Sequence, residues 1–110
     1  MKIDVLGARY TVLDDQLAEK NPDLQNRAGL CEPYRRRILI RKLNPDDDTP
    51  ESLARYKRET LRHEIVHAFL CESGLGSSCD WAKNEELVDW IAIQFPKMAR
   101  AFAAAGCAEE

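Results

Sequence analysis

"TPESLARYKRETLRHEIVHAFLCESG", residues 49–74, decides the architecture of this chain. Thr49 can cap a helix, Pro50 suits the first helical position, and Glu51 complements the positive end of the helix dipole. The stretch then runs without a breaker to Ser73, and Gly74 supplies the residue type that ends helices in a left-handed turn. Within it, "HEIVH" sets His63 and His67 four residues apart, and the chain has no other histidine. On a helix these two lie about 40° apart, one turn along the same face.

Upstream of that helix the sequence reads as strands. "KIDVLGARYTVL" alternates polar and apolar residues around Leu6-Gly7, a hairpin signal. Residues 14–28 are polar, with Asn21-Pro22 marking a turn, and read as loop or a short helix. "GLCEPYRRRILIRK" predicts a second strand pair turning near Glu32-Pro33, with Ile38 and Ile40 on one face and Leu39 on the other. The charges of "RRRILIRK", residues 35–42, read as those that keep an edge strand from pairing with other chains. Downstream, "SGLGSSCD" reads as loop. A second helix is expected from about Trp81 to Phe95, with Pro96 breaking or kinking it and a short alanine-rich helix closing the chain. Strands first and helices after define an α+β class, a mainly antiparallel sheet followed by helices.

With 110 residues, the chain is expected to form one domain, 1–110, with a single modest core. No window is apolar enough for a membrane span, and "MKIDVLGARY" lacks a signal-peptide core, so a cytoplasmic location is expected. The four cysteines, Cys31, Cys71, Cys79 and Cys107, form no C-x-x-C pair and read as free, partly buried thiols. The net charge of −3 divides into +2 over residues 1–62 and −5 over residues 63–110. Acidic side chains gathered around the histidines suit a cation, and the overall acidity argues against nucleic acid as the partner.

His63-Glu64-Ile65-Val66-His67 is an H-E-x-x-H sequence. Two imidazoles one turn apart can chelate one small cation, and Glu64 hangs beside the open coordination position, where it can take a proton from a metal-activated water. Ile65, Val66, Phe69 and Leu70 cover most of the helix circumference, so the histidines are expected in apolar surroundings, where polar groups require partners. The second helix repeats the pattern. In "NEELVDWIA", residues 84–92, Glu85 and Asp89 share one polar sector on an otherwise apolar helix.

H-E-x-x-H followed by N-E-x-x-x-D resembles the gluzincin branch of the zincin metallopeptidases, which includes thermolysin. The matching positions are His63, Glu64 and His67, then Asn84, Glu85 and Asp89. The small size, with "LRHEIVHAFL" and "NEELVDWIAIQFPKM", is similar to minimal gluzincins and small phage- or prophage-encoded zincin-like proteins. The resemblance implies the minimal zincin fold, a small twisted sheet followed by an active-site helix and a glutamate helix, with Zn²⁺ on His63, His67 and Glu85 and Glu64 as general base. It also implies that Asn84 and Asp89 hydrogen-bond the metal-bound histidines from behind, and that a peptide or protein substrate is received along an edge strand. Geometry bears on the competing third ligands. Cys71 lies about 12 Å along the axis from His63, too far for one ion. Glu86 is rotated about 60° from Asp89 and leaves the shared sector. Cys79, in the loop, would leave Glu85 and Asp89 without a cation.

Seventeen residues separate His67 from Glu85, a short spacing for this branch, and little chain follows the second helix. The residue that steadies the oxyanion in larger members is therefore sought elsewhere, with Tyr34, Tyr10 and Arg35 to Arg37 as candidates. Three functions follow from the sequence: a zinc peptidase of narrow specificity, a zinc-binding interaction module such as a phage factor engaging a host protein, and a metal-free structural domain.

Overall fold

In the computed structural model, which describes residues 1–110, a four-stranded sheet packs beneath a long helix. Strands β1 (Lys2–Val5) and β2 (Ala8–Gln16) form the expected hairpin, pairing Lys2 with Thr11 and Val5 with Ala8. Leu6 and Gly7 both take positive φ, 52° and 86°, the conformation a two-residue hairpin turn needs. Strands β3 (Gly29–Glu32) and β4 (Arg37–Arg41) are antiparallel, joined by a 3-10 turn at Pro33–Arg35 that Arg36 closes in the left-handed region.

The sheet order is β1-β2-β4-β3, and β2 pairs with β4 in parallel. This corrects the reading of "RRRILIRK" as an edge. Ile38, Leu39 and Ile40 are all buried, and a strand apolar on both faces belongs inside a sheet. The arginines stand at its ends, where Arg37 pairs with Glu32 across the β3–β4 ladder. The exposed edge on this side is β3.

Helix α1 (Pro50–Glu72) begins and ends where its sequence requires. The Thr49 hydroxyl accepts from the Ser52 N–H at 3.2 Å, and Gly74 takes φ 83° after the last turn. A short helix α2 (Leu75–Ser78) and a 3-10 turn (Asp80–Lys83) lead to α3 (Glu85–Ala104). Thus the second long helix starts four residues later than expected, because Asn84 and not a residue near Trp81 is its cap. Its side-chain oxygen accepts from the Leu87 N–H at 2.8 Å.

Pro96 neither breaks nor ends α3. A proline removes the N–H that would bond the carbonyl four residues back, here that of Ala92. Arg62 fills the gap from the neighbouring helix, its Nε donating to the Ala92 oxygen at 2.5 Å. The bond ties α1 to α3 one residue before His63.

The main core joins Val5, Ala8, Tyr10 and Val12 of the hairpin to Ile38, Ile40 and Ala68, with Leu61 and Ile65 of α1 packed against it. Leu39, facing the opposite way from its neighbours, is buried outside that cluster. Each large apolar side chain contributes about 1.5–3 kcal/mol on full burial. Only 13 of 110 residues are buried, so the contacts that fix α3 on α1 carry unusual weight. Phe69 is exposed, and so are Trp90 and Phe95 on α3, so neither helix is enclosed all round as its composition suggested.

Candidate metal centre

The face of α1 that carries His63 and His67 looks across to the first turn of α3, which presents Glu85 and Asp89. His63 Nε2 and His67 Nε2 stand 3.2 Å apart, and Glu85 Oε2 lies 2.9 Å from the first and 3.1 Å from the second. Three donor atoms thus form one small triangle. Ligands about 2.0–2.1 Å from a tetrahedral ion stand roughly 3.3 Å apart, so the triangle has nearly the size of one coordination face. His63, His67 and Glu85 could hold a metal ion together.

Proton placement supports the same conclusion. Asp89 Oδ1 is 3.1 Å from His63 Nδ1, so the carboxylate accepts the proton of that nitrogen and turns the Nε2 lone pair toward the triangle. Glu85 Oε2 contributes lone pairs only. A cation over the triangle satisfies all three donors at once, whereas protons on the imidazoles can satisfy them only in pairs. Partial burial raises the Glu85 carboxyl, but the adjacent His67 and His63 outweigh it and hold that group below its ordinary value.

The histidine side chains are 18% and 19% exposed, but those of Glu85 and Asp89 are 69% and 63% exposed. The acidic pair therefore stands at the exposed mouth of the site. Asn84 is also placed differently from what the resemblance implies. Its side-chain oxygen caps α3, and the ring nitrogens of the histidines face the carboxylates of Glu85 and Asp89 and each other. Glu86 and Cys79 stay outside the triangle, as the helical geometry required of Glu86.

Glu64 is the one charged residue buried in the chain, at 8% exposure, and its carboxylate opens onto the cleft without a hydrogen-bond partner in the protein. Burial raises its pKa, and the positive potential of His63 and His67 offsets part of that rise. A carboxyl raised in this way is a stronger proton acceptor than a solvated one. The cleft has a volume of about 810 Å³ and is bounded by β3 on one side and by the helices on the other.

The tyrosines and arginines first considered for an oxyanion lie elsewhere. Tyr10 is buried and donates to Glu72 Oε1 at 2.8 Å, Tyr34 is fully exposed, and Arg36 and Arg37 reach Glu72 and Glu32. Arg27 and Tyr56 line the cleft instead. Tyr56 was legible, because it lies seven residues before His63 and so shares its helix face. Arg27 comes from the loop before β3 and left no such signal. All four cysteines are free, and Cys31 and Cys71 also border the cleft. Burial pushes the Cys31 thiol to about 12 and raises that of Cys71, so neither is an activated nucleophile.

Compared with protein-family models, characterised proteins and solved structures, the chain matches none of them. No helix is long and apolar enough to cross a membrane.

Proposed function

We propose that this chain is a zinc-dependent peptidase of the gluzincin type, with narrow specificity. The observation that carries the reading is the convergence of His63, His67 and Glu85 within hydrogen-bonding distance of one another, with the carboxylate of Glu64 opening onto the same cleft. Two imidazole nitrogens and one carboxylate oxygen are a donor set of catalytic zinc. Bound there, zinc would polarise a peptide carbonyl and lower the pKa of water to about 7. Glu64 takes the proton of the attacking water and returns it to the leaving amine as the C–N bond breaks. Asp89 holds His63 in the tautomer that ligates. The open edge of β3 receives the substrate as an added strand, and Arg27 and Tyr56, which line the cleft, are the candidates to meet the developing oxyanion. A cytoplasmic setting suits four free thiols.

The deciding variant is Glu64→Gln. It should keep zinc and fold while abolishing cleavage of a peptide library that the parent cuts. Equal cleavage by both proteins refutes the mechanism. A second reading, a zinc-binding interaction module of phage or host-regulatory type, draws on the placement of Tyr10, Tyr34, Arg36 and Arg37 away from the cleft. It gains if the zinc-loaded parent cuts nothing in that library.

A further inference from the structure

Gly29 opens β3, opposite Ile40 of β4, although glycine is a poor strand former. Its backbone is not in the left-handed region that explains Gly7, Gly74 and Gly106, so conformation does not require it. Space does. A Cβ at Gly29 would lie 2.9 Å from Thr60 Cγ2, 3.1 Å from Glu64 Cγ and 3.2 Å from the Leu39 carbonyl oxygen. The strand crosses α1 so closely that only a hydrogen atom fits between them.

Two of these three neighbours are fixed. The Leu39 oxygen belongs to β4, inside the sheet, and cannot retreat. The Thr60 hydroxyl donates to the Tyr56 carbonyl at 2.9 Å, which sets its rotamer and aims Cγ2 at the strand. Glu64 is the side chain free to give way, since no protein hydrogen bond holds its carboxylate. We propose that Gly29 is a positioning residue for Glu64: the missing Cβ lets the edge strand seat against the Glu64 stem and aims the carboxylate at the cleft beside the metal-binding triangle. The inference rests on the peptidase reading for its catalytic consequence, but the placement of Glu64 can be read without turnover.

The test compares the parent with Gly29→Ala, Thr60→Ser and Gly29→Ala/Thr60→Ser. The double variant removes the closest contact, so it carries the measurement if Gly29→Ala alone does not fold. Zinc affinity should stay within about twofold of the parent in all of them, because the atoms nearest the added methyl group belong to Thr60, Glu64 and Leu39 and not to His63, His67 or Glu85. For a peptide that the parent cleaves, kcat should fall at least tenfold in both Gly29 variants with KM little changed; misplacing a reacting group by about 1 Å commonly costs roughly a hundredfold. The turnover-free readout is the affinity of the zinc-loaded proteins for acetohydroxamate, a zinc chelator with N–H and O–H groups that can donate to a neighbouring carboxylate. Glu64→Ala should weaken that affinity, and the Gly29 variants should match Glu64→Ala and not the parent. If the parent cuts no peptide, the peptidase reading fails and this comparison still decides the inference. Gly29 variants that bind acetohydroxamate and turn over as the parent does, or a Glu64→Ala variant that binds it unchanged, overturn it.

Discussion

Replacing Arg62 with methionine keeps most of the side-chain stem and removes the donor that completes α3 at Pro96. The Ala92 carbonyl, on a residue 1% exposed, would then lose the bond from Arg62 Nε at 2.5 Å and have no N–H at position 96 to replace it. Leaving a buried carbonyl unpaired costs about 1–3 kcal/mol. Unfolding entropy of about 2.1 cal/mol/K per residue gives roughly 0.23 kcal/mol/K for this chain, so the melting temperature should fall by about 4–13 °C. Pro96→Ala supplies the missing N–H, and in that background Arg62→Met should cost less than about 0.5 kcal/mol. The double-mutant cycle should therefore show a coupling of roughly 0.5–3 kcal/mol, read from urea unfolding of the four proteins without metal. Additive losses would refute the reasoning, because they would mean that Arg62 does not stand in for the proline's absent bond. The same bond sets α3 over α1, so Arg62→Met should also weaken zinc binding several-fold.

Other outcomes follow from the same geometry. Glu85→Ala should abolish tight zinc binding in a chelator competition, whereas Glu86→Ala and Cys79→Ser should retain it. Asp89→Ala should weaken zinc affinity by about ten- to a hundredfold, as losses behind a ligating histidine do, and an unchanged affinity would return Asp89 to a solvated carboxylate. Burial pushes the Cys31 thiol from 9.0 to about 12 and, with the hydrogen bond to Glu72, holds Tyr10 above its ordinary value. Both stay protonated in the folded chain and ionise in the unfolded one, so their stabilisation is complete below pH 9.0 and is lost as the pH rises toward about 12. Urea midpoints of the zinc-free protein at pH 8 and pH 10.5 should show that loss, smaller in Tyr10→Phe; identical midpoints at both pH values would contradict it.

The sequence announced its local features well and its long-range ones poorly. Thr49, Pro50 and Gly74 act on the backbone within a few residues, and α1 begins and ends where they predict. The spacing of His63 and His67 needs only a helix to become a chelating pair, and Glu85 with Asp89 needs only a second one. The convergence of His63, His67 and Glu85 was therefore readable once both helices were granted. Strand order was not, because the parallel pairing of β2 with β4 joins segments separated by the whole of β3. Ile38, Leu39 and Ile40 did carry the signal of an interior strand, but the surrounding arginines drew the eye to an edge. That α3 runs on through Pro96 was hidden for a related reason, since the missing hydrogen bond is repaired from another helix by Arg62. Local rules cannot see a partner thirty residues away. Exposure of Glu85 and Asp89 was hidden likewise, because a helical wheel reports which residues share a face and not what covers it.

One zinc ion should bind His63, His67 and Glu85 through two nitrogens and one oxygen. X-ray absorption at the zinc edge of the protein loaded with one equivalent of zinc tests it most directly. The expected spectrum shows nitrogen and oxygen neighbours alone at about 2.0–2.1 Å, with the outer scattering of two imidazoles. A sulfur neighbour at about 2.3 Å, placing the metal on a cysteine, or a spectrum without imidazole scattering would contradict it.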